Sequence, residues 1–204
     1  MRGYIKGFML LCLTGAIVMT VANRSILDAV ANHFRIEIPV DRIVEVPIDP
    51  NERDLQTIIT DESSRAGVPG LITLAMAHVE SSTSLNQFAT RFEPSTYTRI
   101  KADNDTTRRA LASSHGLLQV MGWHASTTCK GIVRHWSELY QPVKNLRCGL
   151  KILNDCLGKF AKITDPSERV TKALGCYNGD GDTYPQLVKR ALADLVIDRL
   201  ASER

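Results

Sequence analysis

Leu146, Gly149, Leu150, Leu153 and Leu157 recur every three or four residues, and the same spacing returns at Leu187, Val188, Ala191, Leu192, Leu195, Val196 and Leu200. Residues three and four apart share one face of an α-helix, so each set predicts a helix with one apolar stripe. A half-buried strand needs alternation at every second residue instead. Only Ile36 to Pro50 alternates at all, and there Pro39, Pro47 and Pro50 interrupt it. Proline fixes the backbone and removes a ladder donor, so residues 23–50 read as an extended linker or edge strand.

Helical spacing then begins at Asn51. Leu55, Ile58, Ile59 and Glu62 lie on neighbouring turns, and Gly67-Val68-Pro69 ends the run. Pro69 suits the first turn of a second helix, through Leu71, Leu74, Ala75 and His78 to Ser82. Residues 83–112 are rich in Ser, Thr, Asn and Asp and predict a long loop with short helical pieces. Further helices are expected over Asn145–Phe160, Ser167–Tyr177 and Tyr184–Leu200. No internal repeat is visible. The predicted fold is mainly α, one domain over residues 51–204.

The formal net charge is +3, and without Arg2 and Lys6 it is 23 basic minus 22 acidic residues, or +1. So weak a charge gives no footprint for nucleic acid. Arg2 and Lys6 precede an uncharged apolar run from Gly7 to Ala22. A basic head before such a run predicts a signal peptide or signal anchor over residues 1–22. With the basic head held inside, the domain is expected outside the cytoplasm: in the periplasm on the inner membrane, exported, or in a virion.

Five cysteines fit that compartment. Cys12 falls in the apolar run, and Cys129, Cys148, Cys156 and Cys176 remain as an even set with three pairings open. The spacings lack any C-x-x-C pair and do not suggest zinc. Helices joined by a short turn near Asp165-Pro166 are expected to run antiparallel. Cys156 and Cys176 lie at similar distances on either side of that turn and are expected to pair. Cys148 lies about two turns back, some 12 Å by helical rise, which leaves it for Cys129.

Three segments carry candidate chemistry. Glu80, followed by Ser81, ends an apolar helix, where burial would favour the neutral carboxyl that a general acid needs. Gly116-Leu117-Leu118-Gln119-Val120-Met121 offers a glycine for close backbone approach and a lone amide, Gln119, in an apolar run. Tyr177-Asn178 places an aromatic and an amide at another helix end.

Together, and in this order, these segments resemble the soluble lytic transglycosylase catalytic domain of the goose-lysozyme-like superfamily. That family shows a Glu-Ser pair, then Gly-Leu-Met/Leu-Gln-Val/Ile-Met, then Tyr-Asn. Arg91-Phe92-Glu93-Pro94 and Asn145-Leu146-Arg147-Cys148-Gly149 are similar to segments of its phage-type members. The resemblance spans about residues 54–197. Gly175-Cys176-Tyr177-Asn178-Gly179-Asp180 stands where the family has Ala-x-x-Tyr-Asn-Ala-Gly.

The resemblance implies a lysozyme-like fold and cleavage of peptidoglycan glycan strands, with no metal and no organic cofactor. It implies Glu80 as the single catalytic acid and base. Ser81, Glu93, Gly116, Gln119, Met121, Tyr177 and Asn178 would contact substrate, Ser81 orienting the leaving end or a peptide and Gln119 the sugar amide. Glu93 would be the second carboxylate if the enzyme were instead a hydrolase, with Asp103 and Asp105 weaker candidates. A component of a secretion, conjugation or phage-entry machine, with secretion-system or virion proteins as partners, is the alternative of a different class.

Overall fold

A computed structural model describes residues 50–202. The apolar run 7–22, with Cys12, and the linker up to residue 49 lie outside the described residues. Of the described residues, those up to Leu195 belong to one compact unit, and the last turns of the C-terminal helix, from Val196, to another. The first carries all that follows.

Seven α-helices lie among the described residues: α1 (Pro50–Ala66), α2 (Gly70–Ser81), α3 (Pro94–Tyr97), α4 (Asp105–Leu111), α5 (Pro142–Lys159), α6 (Pro166–Asn178) and α7 (Thr183–Ser202). None is long and apolar enough to cross a membrane. Pro69 is the cap before α2 rather than part of its first turn. The inward face of α2 runs through Ile72, Ala75, Met76 and Ala77, each 5 % exposed or less. Leu71, Leu74 and His78, expected to face inward, are only half-buried. The stripe on α7 is narrower than expected. Tyr184, Val188 and Leu192, at four-residue spacing, are buried, while Leu187 is 41 % exposed.

A small antiparallel sheet was not foreseen. Its strands are β1 (Thr90–Phe92), β2 (Ser113–His115) and β3 (Val120–Met121), in the order β1-β2-β3. Thr90 lies opposite His115, and Ser114 opposite Met121. Strands this short carry no alternation to read. The polar residues Ser113, Ser114 and His115 are nearly fully buried, because neighbours satisfy their hydrogen bonds. His115 places Nε2 2.8 Å from the carbonyl of Ala110 and Nδ1 3.0 Å from the Tyr140 hydroxyl.

Helix α5 is the central support. It packs against α1 and α6. Its Arg147 holds the buried Glu62 of α1 with two hydrogen bonds, 2.8 and 3.1 Å. It also carries one end of each disulfide. These join Cys129 to Cys148 and Cys156 to Cys176, with Cα atoms 5.3 and 5.9 Å apart. Cys156 sits in the last turn of α5 and Cys176 near the far end of α6. The second bridge thus ties the C-terminal ends of both helices, not equal arms of a symmetric hairpin.

Candidate active site

Glu80 lies in the last turn of α2, which stops because Ser82 takes a left-handed φ of 78°. The carboxyl is half-buried. Burial raises its pKa above the ordinary carboxylate value. The Tyr184 hydroxyl, the charge of Arg91 and the Asn178 amide pull the other way, and the charge of Glu93 adds to the rise. The net effect is upward, so the group keeps its proton to higher pH than a solvated glutamate.

Two tyrosines line the same spot. Tyr177, on α6, donates its hydroxyl to the carbonyl of Leu118 at 2.7 Å. Tyr184 begins α7, after a turn in which the Asp180 carboxylate accepts from the backbone of Asp182 and Thr183 at 3.1 and 3.0 Å. The two rings stack with centroids 6.3 Å apart and planes 21° from parallel. Burial pushes both phenols well above their usual pKa, and the charge of Glu80 adds to it. Asn178 reaches Glu80 from the end of α6, its Nδ2 3.5 Å from Oε1.

Sequence reasoning missed Tyr184. Its hydroxyl is close enough to Glu80 to favour the carboxylate. Yet it is buried and makes no hydrogen bond of normal geometry within the protein. The only sequence signal was its place at the start of the α7 stripe, one turn beyond Tyr177-Asn178. Arg91, too, was quoted only as part of a motif.

Several other expected substrate contacts have their polar groups taken up within the protein. Ser81 is 4 % exposed and donates its hydroxyl to the Ala77 carbonyl at 2.9 Å, within its own helix. Gln119 is 8 % exposed, and its amide is fully used. Its Nε2 donates to the carbonyls of Ala89 and Gly116, both at 2.9 Å, and its Oε1 accepts from the Ser114 hydroxyl at 2.8 Å. Both residues brace the backbone behind the site. Gly116, at φ +76°, makes its close approach to the Asn145 amide and the Leu139 carbonyl rather than to a ligand. Met121 is half-buried on β3. Glu93 is bound to Arg91 at 2.7 Å. Asp105, offered as a weaker second carboxylate, receives the Tyr97 hydroxyl.

A separate groove between α1 and α5, lined by Glu62, Arg65, Arg147 and Asn154, shares no residue with this cluster. Its floor is already filled by the ion pairs of Glu62 with Arg147 and Arg65.

Glu80, Asn178, Tyr177 and Tyr184 therefore form one cluster at the meeting of α2, α6 and α7. It offers a carboxyl with a raised pKa, an amide and two phenols, with no nucleophile beyond the carboxylate itself. That set is suited to passing one proton to and from an oxygen atom. Searches of curated proteins and of solved structures found no match. The family model for the transglycosylase SLT domain matches residues 57–190, well over half of the 204 residues, and takes in every member of the cluster. The chain belongs to the transglycosylase SLT domain family.

Proposed function

We propose that this protein cuts peptidoglycan glycan strands between N-acetylmuramic acid and N-acetylglucosamine, leaving 1,6-anhydromuramyl ends. Glu80 gives its proton to the glycosidic oxygen, and the bond from that oxygen to the muramyl anomeric carbon breaks. The resulting carboxylate takes the proton of the muramyl C6 hydroxyl, whose oxygen bonds to the same carbon. No water is consumed, and Glu80 ends as it began. An attacking group on the same sugar has a large effective concentration, which favours this route over water.

One observation carries the reading: Glu80 has its pKa raised by burial while the carboxylate of Glu93 is paired with Arg91. A general acid needs the first. A hydrolase would need a second carboxylate free to act on water or on the sugar. Asn178 and Tyr184 face the carboxyl.

The decisive experiment is mass spectrometry of muropeptides released from purified peptidoglycan. Ends lighter by one water than reducing ends are expected. Reducing ends as the main product would make the protein a hydrolase and direct attention to Glu93. Two buried disulfides also support the proposal that the domain works in an oxidising compartment, held at the inner membrane or released by its N-terminal segment. Fractionation that finds the intact chain soluble in the cytoplasm would overturn that location.

A further inference from the structure

Asn145 is 1 % exposed in the first turns of α5, and its side chain touches no other side-chain polar group. It serves three buried stretches of backbone instead. Nδ2 donates to the carbonyls of His115 at 2.7 Å and Leu139 at 2.9 Å. Oδ1 accepts from the amide of Leu118 at 2.8 Å. The segment it clamps, His115 to Leu118, passes through the left-handed Gly116 at φ +76° and is followed by Gln119 at φ +43°. Residues 116–118 lie between β2 and β3 and outside both strands, so the Leu118 N–H depends on the Asn145 side chain for its partner. The fit is close: a Cβ on Gly116 would lie 2.4 Å from Asn145 Nδ2.

The clamped residue Leu118 also holds Tyr177: its N–H is fixed by Asn145, and its carbonyl, in the next peptide, accepts the Tyr177 hydroxyl. One helical turn after Asn145, Gly149 completes the arrangement. A Cβ there would stand 2.6 Å from Leu118 Cδ1 and 3.1 Å from the Tyr177 hydroxyl. The amide fixes Leu118 from one turn of α5, and the bare backbone of the next turn leaves room for the tyrosine to reach it.

We propose that Asn145 is a positioning residue for catalysis. It sets the place of the Tyr177 hydroxyl, and through it the environment of Glu80, by fixing Leu118. This rests on the reading of Glu80 as the acid.

The test uses Asn145→Asp in the full chain, which keeps shape but turns two donated hydrogen bonds into repulsion. Initial rates on purified peptidoglycan should fall about tenfold or more at saturating substrate, with half-saturation changed by less than about threefold. The introduced carboxyl would be buried among carbonyls, which favours its protonated form. Once protonated it can donate again, so the rate relative to wild type should recover as the pH is lowered. In a Tyr177→Phe background the same substitution should cost far less, because both act through one hydroxyl. A loss equal at every pH, a loss confined to half-saturation, or full multiplication with Tyr177→Phe overturns the proposal. If Asn145→Asp lacks the native near-UV circular dichroism, the same cycle with Asn145→Ser decides, as that exchange removes the amide without introducing a charge. Glu80→Gln is assayed alongside. Full activity there sinks the acid assignment, whatever Asn145 does, whereas inactivity there with an unaffected Asn145→Asp sinks only the positioning role.

Discussion

At the scale of residues, the role proposed for Glu80 turns on what raises its pKa. Burial does most of it, and the neighbours trim the result in both directions. Replacing Glu80 by Gln removes the proton while keeping the shape, and clearing of peptidoglycan should fall at least ~100-fold with the fold intact. The neighbours make a sharper prediction. Tyr184 favours the carboxylate, so Tyr184→Phe should raise the pKa of Glu80. The alkaline limb of the pH profile of kcat/KM should then move to higher pH. Glu93 opposes the carboxylate and holds Arg91, so Glu93→Gln should move the same limb to lower pH. Two shifts in the same direction would mean that Glu80 is not the titrating acid.

At the scale of elements, the long helices were legible because their cores repeat at three and four residues. Their ends were legible because prolines and polar caps mark them: Asp165 accepts from the backbone of Ser167 at the start of α6, next to Pro166. The sheet was not legible. Thr-Arg-Phe and Ser-Ser-His show no alternation, and what pairs them is backbone, which every residue carries alike. For the same reason Gln119 and Ser81 read as ligands for sugar when they are ligands for the chain. A sequence records that an amide or a hydroxyl is present, but which side of the backbone it serves depends on neighbours thirty residues away. Tyr184 was hidden as one more apolar residue in a helical stripe. The two bridges belong to this scale as well. They close loops with sequence separations of 19 and 20 residues. Loops of that size are stabilised by about 3 kcal/mol each, chiefly through the unfolded chain. Peptide mapping without reduction should yield Cys129 linked to Cys148 and Cys156 linked to Cys176. Paired Cys156→Ser and Cys176→Ser should lower the melting temperature by several degrees. Because Cys176 precedes Tyr177 directly, that variant should also lose rate before it loses structure.

At the scale of the whole domain, acid should be the main threat. Burial holds His124 down to a pKa of about 4 and lowers His115 as well. A buried histidine that resists protonation binds fewer protons than the unfolded chain. Its contribution is therefore complete above the unfolded pKa near 6.5 and is lost as the pH falls toward 4. Glu62, lowered by its hydrogen bond with Arg147, acts in the same sense at lower pH: its contribution is present above the unfolded carboxylate value and lost below it. Glu80 runs opposite, since protonation relieves its burial. The two histidines against Glu80 predict a melting temperature that falls from about pH 6.5 toward pH 4, and Glu62 extends the fall below the ordinary carboxylate range. His124→Gln should flatten the upper part of that curve, and an unchanged slope would remove His124 from the account.

The four-residue interval between Asn145 and Gly149 makes α5 a ruler as well as a support. Within it the helix counts out one turn, so that an amide and a gap arrive on the same side, with Cys148 set for its bridge. Adding or removing one residue inside that interval would turn everything beyond it by about 100°. The gap would leave Leu118 and Tyr177, and the sulfur would leave Cys129. The connection at residues 160–165, which no such spacing governs, is where the chain can change length. Length variants of this protein should therefore divide sharply: permissive between the helices, intolerant within one turn of α5.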